Sequence, residues 1–275
     1  MQGIGGDPQS CYCETSPRDQ PRAIEEQLVL APEGAKLMAL SFPSPTRNQL
    51  LAMLPAGDYS QIASDLEYVD LPRGTLLAKA GEPIDHIYYL TSGIGSLVAT
   101  TPEGNKAEAG IFGSEGYVPT SAATGVELSM HDVIMQIGGD AYRMDFASFR
   151  RGIEHNRNFN RVMIRSIEAF SIQLTYTAIS NAVHGVDERL ARWILMCHDR
   201  VPGDQIPLTH EFISLMLAVR RPSVTTSLHI LEGNGFIRSL RGQIIIRNRP
   251  ALEEFARDAY GKPEAEYRRL MTGLF

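Results

Sequence analysis

Two consecutive arginines, Arg220 and Arg221, stand where the sequence pattern predicts that a short helix begins. Positive charge at a helix N-terminus opposes the helix dipole, so an anion is the natural compensation. When such a helix follows another across a tight turn, its first turn can enter the DNA major groove, where arginine bridges the two acceptors of guanine. Ser223 and Thr226 can reach bases or phosphates from the same face. The pair therefore predicts a DNA-reading helix, with a solvated arginine pair as the alternative.

The elements around this pair predict a winged helix-turn-helix over residues 185–250. Thr209 can cap a first helix, and a second helix runs from Arg221 or its neighbour to about Gly233. A β-hairpin with basic residues follows over residues 236–246. The residues that we expect to contact DNA are Thr209, His210, Arg220, Arg221, Ser223, Thr225, Thr226, Arg238 and Arg241.

The charge distribution supports a local anion-binding surface. The chain of 275 residues has 26 Lys and Arg against 32 Asp and Glu, a formal net charge of −6. Between residues 209 and 249 the balance reverses, and every basic residue there is an arginine. An acidic protein with one arginine-only segment is typical of local anion binding rather than of a generally basic coat.

Other chemistries find little support. Cys11, Cys13 and Cys197 are too few for a disulfide framework or a four-cysteine zinc site. Cys197 and His198 are adjacent on a predicted helix, so their side chains diverge by about 100° and cannot converge on one substrate. We find no metal-ligand spacing and no phosphate-binding glycine loop. We therefore expect no enzyme activity, no metal and no cofactor.

The sequence predicts a cytoplasmic protein with several regions. No run approaches the roughly 18 apolar residues of a membrane helix, and the N-terminus lacks an export signal. Residues 1–45 are rich in Gly and Pro, which predicts a disordered arm. Residues 46–145 contain short β-rich runs separated by glycines, which predicts an antiparallel barrel or sandwich. Residues 251–275 form an amphipathic helical tail whose packing partner the sequence does not identify.

A heptad-like apolar seam predicts a long dimerisation helix within residues 146–184, ending in a hinge at Gly185. Asn156 and Asn160 would be register-setting polar residues within that seam. A second stripe, including Phe159 and Val162, would face the barrel. Packing within one chain is the alternative to homodimerisation. The seam residues predicted to contact a partner copy are Phe149, Ile153, Met163, Ile167, Phe170 and Leu174.

This layout resembles the Crp/Fnr family of bacterial transcription regulators over roughly residues 46–250. The stretches that carry the resemblance are 71–74, 81–82, 88–93, 208–211 and 224–232. It implies an α+β fold: a jelly-roll barrel of the cyclic-nucleotide-binding type, a dimerisation helix and a C-terminal winged helix-turn-helix. It also implies double-stranded DNA, a second copy of the chain and RNA polymerase as partners.

The resemblance has consequences for half-site preference. In the family, an arginine at the position of Arg221 reads guanine. Pro222 stands where relatives that read TGTGA-type half-sites have glutamate, and Thr226 stands where many have a second arginine. We therefore expect a different preferred half-site.

The segment Phe112-Gly113-Ser114-Glu115-Gly116 resembles the start of the family's phosphate cassette. The resemblance makes Gly113, Glu115 and Gly116 candidates for an effector pocket, with Glu115 as the ribose contact. No arginine stands in residues 127–132, so a cyclic phosphate would lack its cation unless Arg143 or Lys106 folds back. We expect an unidentified effector that is not a cyclic nucleotide. The spacing of Cys11 and Cys13 does not fit the iron-sulfur branch, and lone barrel histidines are usually structural.

The leading hypothesis is a homodimeric, sequence-specific DNA-binding regulator. One alternative is a constitutive regulator whose activity follows its abundance or a thiol state. Another is a metabolite-sensing barrel whose C-terminal unit docks on a protein partner. The effector, the operator and the sign of regulation are not readable from the sequence.

Overall fold

A computed structural model describes residues 47–275, so the predicted N-terminal arm lies outside the described residues. Two short helices come first, α1 (Gln49–Ala52) and α2 (Ala56–Ile62), followed by a 3-10 turn at Ala63–Asp65. Asn48 caps α1, because its side chain accepts hydrogen bonds from the backbone N–H groups of the first turn. The same amide donates to the carbonyl oxygens of Leu90 and Gly116, which fixes α1 against the strands.

Seven antiparallel strands, which together we call the β unit, form two sheets between Glu67 and Asp145. They confirm the predicted antiparallel β-rich region. One sheet has the order β1-β7-β3 and the other the order β2-β6-β4-β5. A core cluster that includes Leu71, Leu90, Val133 and Met135 lies among these strands. The strands are β1 (Glu67–Leu71), β2 (Leu76–Ala78), β3 (His86–Leu90), β4 (Ile94–Thr100), β5 (Lys106–Phe112), β6 (Asp132–Ile137) and β7 (Gly139–Asp145).

Two helices follow where the sequence predicted one continuous seam. They are α3 (Phe146–His155) and α4 (Arg157–Val183). Asn156 separates them, because its backbone is extended, with φ −113° and ψ 100°, and its side chain accepts from the N–H of Phe159. The prediction that Asn156 sets coiled-coil register is wrong, since this residue ends one helix and caps the next.

The predicted partner-facing seam packs against the chain's own β unit. Phe149 and Met163 are fully buried in a core cluster, so they are not available to a partner and that prediction is wrong for both. Phe170 and Leu174 lie against Gly110 of β5, and an added Cβ at that glycine would meet the Leu174 Cδ2 atom at 2.8 Å. The remaining two seam residues, Ile153 and Ile167, are partly buried against the same core.

A different face of α4 is open to solvent. This outward face consists of Ile164, Glu168, Ser171, Thr175, Ala178 and Ala182. Ile164 is 45% exposed and is the large apolar residue of this set, while Ile179 and Val183, nearer the end of α4, are exposed as well. The burial pattern differs from the prediction because α4 meets β5 on one side and the C-terminal helix on another.

The predicted winged helix-turn-helix is confirmed. It contains a three-stranded sheet in the order β8-β10-β9. Its core includes Leu190, Val224 and Leu228, and it continues into Ile94 and Ile111 of the β unit. The elements are α5 (Val186–His198), β8 (Gln205–Ile206), α6 (His210–Met216), α7 (Arg221–Gly233), β9 (Ile237–Leu240), β10 (Gln243–Ile246) and α8 (Arg249–Ala256).

The C-terminal segment, residues 257–275, connects the winged helix-turn-helix back to the β unit. It contains a 3-10 turn at Arg257–Ala259 and α9 (Lys262–Met271), which packs along α4. Tyr267 donates a hydrogen bond to the carbonyl oxygen of Glu115 at 3.0 Å. Met271 and Leu274 are buried in the same core cluster as Leu50. The packing partner that the sequence left open is therefore the β unit with α4.

Candidate nucleic-acid interface and effector pocket

The helix-turn-helix is built by local capping and a tight turn. Thr209 accepts from the N–H of Phe212 at 3.3 Å and so begins α6. In the turn that follows, Ala218 has φ 51°, and the Ser214 hydroxyl donates to the carbonyl oxygen of Val219. Arg220 is then the N-cap of α7, with proline near the first turn. The turn presents the start of α7 to solvent.

The arginines at the start of α7 are exposed, and the opposite side of the helix is core. Val224, Leu228 and Leu231 are fully buried. The Arg221 guanidinium pairs with the Glu211 carboxylate at 2.7 Å, but the two side chains are 60% and 80% exposed. Solvent screens such a pair, which contributes at most about 1 kcal/mol. Arg221 can therefore exchange this carboxylate for a DNA acceptor.

The other predicted contact residues lie around this start. Thr226 is exposed and donates to the carbonyl oxygen of Pro222. Thr225 is half-buried, and its hydroxyl lies 3.4 Å from the Nδ1 atom of His210. Ser223 is also half-buried. Ser223, Thr225 and Thr226 thus lie on the helix that follows Arg220, and His210 of α6 contacts that helix at Thr225.

The wing presents Arg238 and Arg241, both exposed. Its tip is a tight turn in which Gly242 has φ 80°, a left-handed conformation that favours glycine. Arg249, which belongs to the same arginine-rich segment, lies inside the protein instead. It donates to the Asp199 carboxylate at 2.7 Å and to the Tyr260 hydroxyl at 2.7 Å. The Arg249 side chain therefore holds α8 against the end of α5, and it does not belong to the exposed surface that could contact DNA.

The candidate effector pocket is occupied by the protein's own side chains. Gly113, Glu115 and Gly116 follow β5, and the Glu115 carboxylate accepts from the Arg200 Nε atom at 2.7 Å. Both members of this ion pair are buried. Arg200 is the cation that the sequence reasoning missed, because it lies 85 residues further along the chain with no spacing to signal it. The predicted ribose contact is already engaged.

The space among the strands is also filled. The Phe112 ring packs directly onto Gly95, where an added Cβ would lie 2.1 Å from the ring. A cavity of about 30 Å³ remains between Glu115, α4 and α9, which is room for about two water molecules. Arg143 pairs with Glu67, and Lys106 pairs with Asp132, so neither folds back. Among the residues that the structure describes, the space beside Glu115 is therefore small, and Arg200, Arg143 and Lys106 each already pair with a carboxylate.

A buried polar cluster joins the β unit to α5. The Trp193 Nε1 atom donates to Glu108 at 2.7 Å, and the Ser96 hydroxyl lies 2.6 Å from the other oxygen of the same carboxyl group. The Gln136 Oε1 atom is 2.7 Å from that hydroxyl. Burial raises the pKa of Glu108 to about 7, and the hydrogen bonds from Ser96 and Trp193 partly offset the rise. This carboxyl group therefore changes charge near neutral pH.

The described residues, 47–275, also bear on thiol chemistry and on metal binding. Cys197 is fully buried, and burial raises the pKa of its thiol well above the ordinary value, which makes it a poor redox sensor. No group of three or more His, Cys, Asp or Glu side chains in this range could hold a metal ion. None of the helices in this range is both long enough and apolar enough to cross a membrane.

Comparison with known proteins gives two domain families. The model of the Crp-like helix-turn-helix domain matches residues 188–255, and the model of the cyclic nucleotide-binding domain matches residues 68–156. No curated protein matches the chain. Among solved structures, FixK2 from Bradyrhizobium japonicum is 14% identical, with a TM-score of 0.60, over 70% of this chain and 98% of that chain.

Two more solved structures share this fold. The c-di-GMP responsive global regulator CLP from Xanthomonas campestris is 15% identical, with a TM-score of 0.57, over 70% of this chain and 99% of that chain. A CRP/FNR family regulator from Thermus thermophilus is 19% identical, with a TM-score of 0.58, over 69% of this chain and 98% of that chain. The two family models together match more than half of the chain, and the protein belongs to the Crp/Fnr family of transcription regulators.

Proposed function

We propose that the protein binds specific DNA sequences as a homodimer and regulates transcription in the cytoplasm from the sites that it occupies. The observation that carries the proposal is the start of α7, where Arg220 and Arg221 are exposed while Val224 and Leu228 anchor the opposite face in the core. In a helix-turn-helix this turn enters the major groove. RNA polymerase is the expected protein partner.

Specific reading is assigned to Arg221, and general attachment to the wing. A guanidinium can donate two parallel hydrogen bonds to guanine O6 and N7. Arg238 and Arg241 lie on a separate hairpin, at a position suited to phosphate contacts that fix orientation without reading sequence. Because Pro222 and Thr226 differ from the family pattern, the preferred half-site is expected to differ too.

Dimerisation supplies the second helix-turn-helix unit. Two helix-turn-helix units read half-sites about one helical turn of DNA apart, which requires a fixed distance between the two α7 helices. The outward face of α4 is the surface assigned to this role, because Ile164 gives it an apolar residue and small side chains at Ser171 and Ala178 allow close helix approach. This replaces the seam that the sequence suggested.

Regulation by a cyclic nucleotide is not part of the proposal. The ion pair between Glu115 and Arg200 and the packing of Phe112 on Gly95 support a pocket that is filled from within. A regulator whose DNA affinity does not depend on cyclic nucleotides fits this arrangement.

DNA selection followed by binding titration tests the function. Random DNA is enriched on the wild type, and the selected site is compared with a scrambled site by fluorescence anisotropy. Arg221→Ala is expected to lose about 1–3 kcal/mol on the selected site and little on the scrambled one. Arg241→Ala is expected to weaken both and to reduce the salt slope by about one.

A matched control is Arg269→Ala, which removes an exposed arginine on α9, outside the DNA-binding unit. It is expected to leave both affinities unchanged. Absence of any enriched sequence, together with weak salt dependence, would contradict the proposal and favour docking of the C-terminal unit on a protein. Equal losses for Arg221→Ala on both sites would make Arg221 a phosphate contact and Arg220 the candidate reader.

A further inference from the structure

Two arginines at the junction of α4, α5 and β5 lack a carboxylate partner. Within the described range, neither Arg189 nor Arg192 has a carboxylate oxygen within 4 Å. Arg189 donates from Nη2 to the carbonyl oxygen of Leu217 at 2.6 Å, and Arg192 donates from Nη2 to the Thr177 hydroxyl at 3.2 Å. Arg192 is only 5% exposed. Two cations thus sit close to the protein interior with neutral partners.

The contrast with the other buried arginines is informative. Arg200 is paired with Glu115, and Arg249 is paired with Asp199, each at 2.7 Å. This fold therefore compensates buried guanidinium groups with carboxylates where only its own residues are involved. Leaving a buried charge without a counter-charge is strongly unfavourable. The carboxyl groups that act on Arg192, those of Glu264 and Glu108, lie beyond 4 Å of its guanidinium group. The missing direct pair at Arg189 and Arg192, among the residues that the structure describes, points to an anion bound there from outside the chain.

The Nε atom of Arg189 supplies a second observation. It is inaccessible to solvent and has no hydrogen-bond acceptor. Buried donors without an acceptor are rare, and an ion or a water molecule is a common explanation. Burial also lowers the pKa of both the Arg189 and the Arg192 side chains, and at Arg192 the carboxyl groups of Glu264 and Glu108 offset part of that shift.

A small cavity lies between these two side chains and α4. Its volume is about 20 Å³, enough for one water molecule or one halide ion but too small for phosphate or sulfate. Thr177, Ser180 and Asn181 of α4 and Gly110 of β5 complete much of its wall. A site of this volume would admit a halide-sized ion and exclude larger oxyanions.

We propose that this cavity is a binding site for a halide-sized monoanion such as chloride, held by Arg189 and Arg192. The ion links α4 to α5, the first helix of the DNA-binding unit. Bound there, it supplies a counter-charge in direct contact with the two guanidinium groups and fixes the angle between these helices. The site uses neither the effector pocket nor the DNA face.

Glu108 is the one carboxyl group in the wall, and its charge opposes an anion. Its oxygens are engaged by Ser96 and Trp193, and the other charged or titratable groups that act on it are Arg192, Arg200 and Cys197. Anion binding is therefore expected to tighten as pH falls through neutrality and Glu108 becomes protonated.

Thermal unfolding at constant ionic strength tests the site, with chloride exchanged for gluconate, which cannot enter the cavity. The wild type is expected to gain stability saturably with chloride. Arg189→Gln and Arg192→Gln should each raise the chloride concentration for half-maximal effect by about tenfold or more. Arg269→Gln, on the surface of α9, is the matched control and should behave like the wild type.

Bromide diffraction provides an independent measurement that does not depend on the variants folding. Crystals of the wild type soaked in bromide should show an anomalous peak between the Arg189 and Arg192 side chains. The proposal is overturned if that peak is missing there, or if chloride stabilises the Arg189→Gln variant as much as the wild type.

Discussion

Replacing Glu108 with glutamine should change how the stability of this protein depends on pH. Burial raises the pKa of Glu108 from 4.5 to about 7 in the folded state, so the folded protein holds a proton there that the unfolded chain has released. Stability is therefore expected to fall as pH rises from about 4.5 through 7 and to level off above 8. A shift of this size corresponds to about 3 kcal/mol.

Glutamine reproduces the protonated carboxyl group. Its Oε1 atom can accept from the Trp193 Nε1 atom, and its amide can donate to the Ser96 hydroxyl, which then donates to Gln136. Glu108→Gln should therefore lack this pH dependence. At pH 8 it should exceed the wild type by up to about 3 kcal/mol, and below pH 5 the two should be similar.

Urea unfolding of both proteins at five pH values from 5 to 9, at one protein concentration, measures the effect. The difference between the two curves isolates Glu108 from all other titrating groups. Glu103→Gln, at an exposed turn position, controls for the loss of one negative charge. A difference that stays flat with pH, or a variant less stable than the wild type at every pH, would refute the reasoning.

Two further outcomes are expected. Ile164→Asp should convert the dimer into a folded monomer in analytical ultracentrifugation, because it places charge on the outward face of α4. Ile167→Asp should chiefly lower thermal stability, because Ile167 packs against the core of the same chain. A dimer that survives Ile164→Asp would exclude the outward face as the interface. Titration calorimetry should detect no micromolar binding of cyclic AMP or cyclic GMP, because Arg200 already pairs with Glu115; tight binding abolished by Arg143→Ala would show that the side chain of Arg143 enters the pocket.

Local signals in the sequence were sufficient for the DNA-binding unit. Thr209 begins α6, glycine and asparagine follow α7, and the spacing of Val224, Leu228 and Leu231 gives the core face. The two residues of each such interaction are at most about four positions apart, so both can be recognised within a short stretch of sequence. The strand pattern of the β unit is local in the same way.

The candidate pocket could not be predicted, because its decisive contacts are distant in sequence. Glu115 meets Arg200 from the end of α5 and Tyr267 from α9, and no periodicity links these positions. The apolar seam was wrongly predicted to face a partner helix for a related reason. Its period shows that one side of a helix is buried, but a strand such as β5 can bury that side as well as a partner helix can. The extended backbone at Asn156 then divided the seam in two.

The position of the C-terminal segment also constrains the order of events during synthesis. Tyr267, Met271 and Leu274 complete a core cluster that begins with Leu50 and Leu51, more than 200 residues earlier. At ribosomal rates of about 5–20 residues per second, the first part of this core waits at least about 10 s for the last. The nascent β unit therefore exposes apolar surface while the DNA-binding unit is being made, which is the interval in which chaperones would be needed.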